Sequence, residues 1–136
     1  MSASTQVRVD DWEVGNNELD RRFLAAMSNK DIEAAMACFA DSPDLVVVIW
    51  GNEFRGPQQL REAMLAVFGK YDEIKLSIDR VREFRSGDAV IAVGHATYEF
   101  KQADVKTKLT EVWTDVRRKV NGRWVYVLDH AEVLPN

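Results

Sequence analysis

The sequence predicts an α+β fold in which helices precede an antiparallel sheet. Three segments in the first half carry apolar residues at helical spacing, whereas the second half contains long runs with the two-residue period of strands. The pair Asn121-Gly122 separates two such runs and predicts a hairpin with a type I′ turn, because both central residues of that turn need positive φ. A chain of 136 residues suits one domain, residues 1–136, with a single core.

Three helices are predicted in the first half of the chain. Their predicted ranges are residues 17–28, with a start as early as residue 10 as an alternative, residues 32–40 and residues 56–69. Each helix has one apolar stripe; the stripes contain Leu19, Phe23 and Met27, then Ile32, Ala35, Met36 and Phe39, then Leu60, Met64, Val67 and Phe68. Proline at position 57 suits the first turn of the third helix, where its missing N–H breaks no hydrogen bond.

Strands are predicted in the rest of the chain. Residues 45–50 are apolar throughout, as in a strand buried on both faces, and a turn at Gly51-Asn52 leads back into residues 53–55. Residues 74–84 alternate with a change of phase before Val81, which predicts a bulge, and a turn at 85–88 precedes the strand 89–101. A polar loop over residues 102–108 is expected before the final hairpin, residues 109–134.

The register of that hairpin follows from its turn. Counting outward from Val120 and Arg123 predicts four further cross-strand pairs: Arg117 with Tyr126, Asp115 with Leu128, Trp113 with His130, and Glu111 with Glu132. The opposite face is expected to carry Val112, Val116, Val125, Val127, Ala131 and Val133. One face is mixed aromatic and polar and the other is apolar, so the sequence predicts a cavity on one side of the sheet and a packing surface on the other.

Residues 124–131 (WVYVLDHA) resemble the closing strand of the SnoaL-like branch of the nuclear transport factor 2-like superfamily. The segments RFLAAM (22–27), KDIEAAM (30–36), Phe39-Ala40-Asp41 and RGPQQLR (55–61) are similar to upstream parts of the same family, so the resemblance covers residues 17–134. It implies a cone, also called cystatin-like, in which a curved, mostly antiparallel sheet wraps around three N-terminal helices. The family contains isomerases, cyclases, dehydratases and hydrolases, together with domains that only bind or oligomerise.

Composition and charge exclude several classes of protein. The hydrophobic fraction of 46% and the charged fraction of 29% are ordinary for a globular domain, and a net charge of −4 disfavours a nucleic-acid partner. Cys38 is the single cysteine, so neither an intrachain disulfide nor a cysteine–histidine zinc site is expected. Residues 1–9 are expected to be flexible, and the absence of a long apolar run predicts a cytoplasmic protein without a membrane partner.

Candidate catalytic residues come from the mixed face of the final hairpin. His130 occupies the family's histidine position and is expected to act as acid and base, with Glu111 or Asp115 assisting. A buried histidine that is hydrogen-bonded to the backbone is the competing interpretation. Glu111 and Glu132 are expected to face each other, either as an acid/base pair or as two solvated charges at the rim.

Aromatic and apolar side chains are the candidate ligand-binding residues. The expected cavity walls comprise Phe23, Met27, Trp50, Tyr98, Trp113, Tyr126 and Leu128. His95 and Glu99 share one face of the strand 89–101, and either enters the cavity if that face points inward. No metal ligands and no cofactor are expected.

The sequence therefore predicts a protein that binds a small, apolar or partly polar organic molecule. If it is an enzyme, a cofactor-free isomerase, cyclase or lyase is expected. The alternative is a non-catalytic association or ligand-sensing module. A homodimer through the apolar face is expected, unless the N-terminal segment with Trp12 covers that face within one chain.

Overall fold

In the computed structural model, residues 11–135 are described, with side chains from Glu18 onward. The expected flexibility of residues 1–9 and the side chain of Trp12, the expected anchor, lie outside what is described. Within residues 11–135 the chain forms three helices, α1 (Asp11–Ser28), α2 (Ile32–Met36) and α3 (Gly56–Lys70). The strands are β1 (Val46–Ile49), β2 (Asn52–Arg55), β3 (Glu73–Ser86), β4 (Ala89–Gln102), β5 (Val105–Val120) and β6 (Arg123–Val133).

The strands form one curved, unclosed sheet in the order β2-β1-β6-β5-β4-β3. Neighbouring strands are antiparallel except β1 and β6, which run parallel. The buried side chains of the helices and of the inner sheet face form one core, which includes Leu19, Leu60, Phe68 and Phe100. The predicted α+β cone is confirmed, and none of the described helices is long and apolar enough to cross a membrane.

Three local predictions differ from the structure. Helix α2 ends at Met36 rather than at residue 40, because the chain then pairs with β6. The N–H of Ala40 donates to the carbonyl of Tyr126, and the N–H of Tyr126 donates to the carbonyl of Cys38. The turn between β1 and β2 is Trp50-Gly51, one residue earlier than expected. The polar segment 102–108 is mostly strand, with a two-residue turn at Ala103-Asp104 that pairs Gln102 with Val105.

The hairpin β5–β6 starts as predicted and then changes register. The turn at Asn121-Gly122 has φ of 51° and 79°, and Val120 pairs with Arg123 and Arg117 with Tyr126, as expected. A bulge follows, because Val116 pairs with Leu128 and leaves Val127 between two paired residues. Since strand side chains alternate, this one extra residue moves every later side chain of β6 to the other face.

The bulge therefore corrects the three predicted pairs that lie beyond it. Trp113 lies opposite Ala131, Asp115 opposite Asp129, Glu111 opposite Val133, and His130 opposite Thr114. Asp129 and Ala131 are on the inner face, where the sequence placed His130 and Glu132. The expected bulge in β3 is confirmed between Asp79 and Arg82.

Candidate functional site

A cavity of about 370 Å³ lies between the inner sheet face and the helices. Its walls are mostly apolar and include Phe23 and Met27 from α1, Leu60 and Met64 from α3, and Phe100 from β4. The exposed lining residues Asn52 and Ala66 place its mouth between β2 and α3. The polar groups are concentrated on the sheet side, on β5 and β6.

Seven of the predicted site residues line this cavity: Phe23, Met27, Trp50, Glu111, Trp113, Asp115 and Tyr126. Tyr98, an expected wall residue, lines it as well. These aromatic side chains face the cavity because of helical spacing in α1 and because side chains alternate between the two faces along β4 and β5.

Four predicted site residues lie elsewhere. His130 and Leu128 are exposed on the outer face because of the bulge, and His130 Nε2 lies 3.3 Å from Glu132 Oε1. His95 and Glu99 are also on the outer face, since the even-numbered residues of β4, such as Ala96 and Tyr98, point inward. The predicted position in the cavity is wrong for His130 and Leu128. For His95 and Glu99 the face of the strand was left open, and the structure places that face outward.

Glu111 is the carboxyl group of the cavity that contacts the β1–β2 turn. Its side chain is buried, and the indole Nε1 of Trp50 donates a hydrogen bond of 2.9 Å to Oε2. Burial raises the pKa of Glu111 to about 7, while hydrogen bonds from Trp50 and Tyr98 act in the opposite direction. A carboxyl with this pKa exchanges its proton readily near neutral pH.

Asp115 belongs to a buried ionic network around Arg117, whose side chain is fully buried. Arg117 Nε donates to Asp115 Oδ1 at 2.7 Å and Nη1 donates to Asp20 Oδ2 at 3.0 Å, while the Tyr126 hydroxyl donates to Asp20 Oδ1 at 2.7 Å. Burial raises the pKa of Asp115 to about 6, and Arg117 opposes that rise. The guanidinium thus links α1 to β5 through two carboxyl groups that line the cavity.

Asp129 lines the cavity directly opposite Asp115. Burial raises the pKa of Asp129 well above its ordinary value, and the charges of Asp115 and Glu111 raise it further. Arg117 and the backbone N–H of His130 act in the opposite direction. Burial thus favours the protonated form of Asp129, in which the carboxyl group is able to donate a hydrogen bond.

Sequence reasoning missed Asp20, Arg117 and Asp129 as site residues. Helical spacing could have identified Asp20, because it lies three residues before Phe23 and seven before Met27, on the same face of α1. Arg117 was assigned to the correct face by the turn, although its role was not predicted. No signal identified Asp129, since residues 124–128 are apolar at every position and alternation cannot reveal a change of phase there.

Among residues 18–135, no three His, Cys, Asp or Glu side chains converge in a metal-binding arrangement. The carboxyl groups of the cavity instead make hydrogen bonds to Trp50, Tyr98 and Arg117. The arrangement combines an apolar volume with several carboxyl groups in its lining.

The profile of the SnoaL-like domain family matches residues 21–127. No curated protein sequence matches the chain significantly. The match agrees with the expected resemblance and covers most of the helices, the sheet and the cavity.

Solved structures of several differently named proteins share the fold. A candidate aromatic ring hydroxylase from Novosphingobium aromaticivorans has a TM-score of 0.85 and 16% identity, with 96% of this chain and 94% of that chain covered. A candidate scytalone dehydratase from the same species has a TM-score of 0.83 and 12% identity, over 91% and 85%. A candidate calcium/calmodulin-dependent protein kinase II association domain from Xanthomonas campestris has a TM-score of 0.80 and 16% identity, over 99% and 96%.

Proposed function

The chain belongs to the SnoaL-like domain family, and from this premise we propose that it catalyses proton transfer on a small, uncharged and largely apolar organic molecule. Glu111 is the proposed base and Asp129 the proposed acid, in an isomerisation or elimination that requires no cofactor. The observation that carries the proposal is that two carboxyl groups with raised pKa values line one apolar cavity. In acid–base pairs of enzymes, the surroundings of the two groups typically shift their pKa values apart, so that one group accepts a proton and the other donates one.

The charge of the site supports an uncharged ligand. The carboxyl groups of Asp20, Glu111, Asp115 and Asp129 line the cavity, and Arg117, which bonds to two of them, is already engaged. A carboxylate or phosphate brought to these groups would lose its hydration and meet like charges in a medium of low dielectric constant. Aromatic and aliphatic walls favour a ring system or a branched hydrocarbon skeleton.

Asp129 takes the role that the sequence assigned to His130. Both residues lie at the same level of the sheet, but the bulge directs Asp129 inward and His130 outward. Asp115 remains a supporting residue in the proposal, because both of its oxygens accept hydrogen bonds from Arg117. The names of the structural neighbours, a dehydratase and a hydroxylase, agree with small-molecule chemistry in this fold.

Deuterium exchange into 2-tetralone tests the proposal directly. This neutral bicyclic ketone has enolisable hydrogens, and in D₂O at pH 7 a correctly placed base should accelerate their exchange above the buffer rate, as followed by ¹H NMR. Glu111→Gln should lower the protein-catalysed exchange rate by roughly 100-fold, which is the usual scale of general base catalysis. Glu132→Gln, an outer-face control, should retain it. Exchange at the buffer rate with wild-type protein would contradict the proposed chemistry.

Ligand charge is tested with two molecules of similar size, 2-naphthol and 2-naphthoate. We expect the neutral naphthol to raise the melting temperature of the protein at pH 8, where the carboxyl groups of the cavity are more ionised, and the naphthoate to leave it unchanged. The opposite order would refute the proposed substrate class. Asp129→Asn should preserve naphthol binding, because the amide can still donate a hydrogen bond.

The second candidate function is association of two copies through the outer sheet face. Cross-strand pairing aligns one apolar row across five strands, formed by Val46, Leu128, Val116, Ile91 and Phe84. Leu128 and Phe84 expose 40% and 50% of their surface. This row replaces the predicted valine set, from which the bulge moves Ala131 and Val133 to the inner face. Such a contiguous apolar strip is typical of an interface, and the association domain named above shares the fold.

Sedimentation equilibrium tests this association. A wild-type dimer at tens of micromolar is the expected result, and Leu128→Glu should shift it towards monomer. Val120→Glu, at an exposed position beside the hairpin turn, is the matched control and should leave the dimer intact. A monomeric wild-type protein would exclude the dimer without affecting the proposed chemistry.

A further inference from the structure

The turn that joins β1 to β2 has an unusual residue in a strained conformation. Ile49 pairs with Asn52, so Trp50 and Gly51 form a two-residue turn with φ of 51° and 85°. Positive φ is ordinary for glycine and tolerated by asparagine, but a bulky aromatic residue is rarely found there. The surrounding structure must hold Trp50 in this conformation.

Contacts of the indole explain how it is held. Nε1 donates to Glu111 Oε2 at 2.9 Å. The ring packs edge-to-face against Tyr98, with centroids 5.6 Å apart, and against Phe100, with centroids 6.4 Å apart. These contacts direct the indole from the edge of the cavity mouth onto the proposed base.

We infer that Trp50 is a positioning residue for Glu111, whose carboxylate it orients towards the cavity and stabilises in the ionised form. The inference rests on the proposed role of Glu111 and adds the residue that controls it. Backbone strain at functional sites is a recognised way to hold a group in a defined orientation. A donor that remains fixed in the free protein does not have to reorganise when a ligand enters.

The groups around Glu111 determine in which direction its pKa should change when the indole N–H is removed. The β1–β2 turn contributes the Trp50 N–H, β4 contributes the hydroxyl of Tyr98, and β6 contributes Asp129. The two donors lower the pKa of Glu111, whereas burial raises it. Removing the indole N–H should therefore leave Glu111 protonated over a wider pH range.

A carboxyl titration by ¹³C NMR tests this effect without any ligand. With ¹³C-labelled glutamate, the Glu111 signal is assigned from its loss in Glu111→Gln. Trp50→Phe, which retains an aromatic ring but has no N–H, should raise the titration midpoint by roughly one pH unit, as expected when a hydrogen bond to a charged group is lost. Trp124→Phe is the matched control, because the buried Trp124 Nε1 has no hydrogen-bond partner among the side chains and backbone that the structure describes. An unchanged midpoint in a folded Trp50→Phe protein would overturn the inference.

A second measurement avoids substitution of Trp50. The indole ¹H–¹⁵N signal of Trp50 in the wild-type protein should titrate with the midpoint of Glu111 and become pH-independent in Glu111→Gln. A signal that does not follow Glu111 would also overturn the inference. Neither NMR result depends on turnover, so loss of the proposed function in the tetralone assay is distinguishable from failure of this inference.

Discussion

The two faces of the β5–β6 hairpin place similar side chains in opposite environments. On the inner face Glu111, Asp115 and Arg117 are at most 4% exposed, whereas on the outer face Arg118 and His130 have half of their side-chain surface in solvent. Water and salt screen the outer charges, so their partners contribute little. The inner charges depend on defined hydrogen bonds, because an unpaired buried charge is strongly unfavourable. Adjacent residues of one strand should therefore respond very differently to substitution.

The largest expected difference is between Arg117 and its neighbour Arg118. Arg117→Met leaves the carboxylates of Asp115 and Asp20 without their cation and should reduce the free energy of unfolding by about 3–5 kcal/mol. Arg118→Met removes a contact of 3.9 Å to Asp88 on the exposed face and should change it by less than about 0.5 kcal/mol. Urea denaturation at pH 7 measures both values. Similar losses in the two variants would remove the distinction between the faces.

The next expected effect is the pH dependence caused by Glu111. Its pKa rises from 4.5 in the unfolded chain to about 7 in the fold. The folded state therefore binds the proton more tightly, and stability is lost as the pH rises through this interval. As the pH rises through this interval, the free energy of unfolding of the wild-type protein should fall by about 3 kcal/mol relative to that of Glu111→Gln. Urea titrations between pH 4.5 and pH 8 measure the slope, and Glu132→Gln on the outer face should retain it.

The turn that sets the register of both faces should show a smaller effect. Gly122 has φ of 79°, so Gly122→Val should lower the free energy of unfolding by at least about 1 kcal/mol, since a β-branched residue is disfavoured there. Gly69→Val in α3 is the control, because Gly69 does not have positive φ and nothing lies within 4 Å of an added Cβ. Thermal denaturation of both variants makes the comparison. An unchanged melting temperature for Gly122→Val would contradict the type I′ turn.

The smallest effect is expected at His130. His130→Ala should change stability by no more than about 0.5 kcal/mol and should leave naphthol binding unaltered, because the side chain is half exposed and points away from the cavity. Isothermal titration calorimetry with 2-naphthol measures the binding. Loss of binding in a folded His130→Ala protein would return this histidine to the site.

Much of the cavity wall was predictable because the relevant residues are local in sequence. Phe23 and Met27 follow from helical spacing, and Trp113 and Asp115 follow from their alternation with Glu111 along β5. Segment 102–108 was not predicted as strand, because it is polar and exposed. Its strand conformation depends on cross-strand partners such as Glu99, which pairs with Lys108.

The two-residue turns show the same division between local and tertiary control. Asn121-Gly122 adopts positive φ at both residues through its own conformational preference, so the sequence alone determined that turn. Trp50-Gly51 has nearly the same geometry, yet tryptophan has no such preference, and its contacts with Glu111, Tyr98 and Phe100 hold it there.

By itself, the sequence determined the α+β class, the family, the final turn and the face of β5 that carries Glu111 and Asp115. Tertiary structure alone decided the bulge at Val127, because an uninterrupted apolar run can pack in either phase until its neighbours are in place. That bulge exchanged His130 for Asp129 in the cavity. In the arrangement that forms, Asp129 lies opposite Asp115 in the cavity wall, while the polar imidazole of His130 faces water beside Glu132.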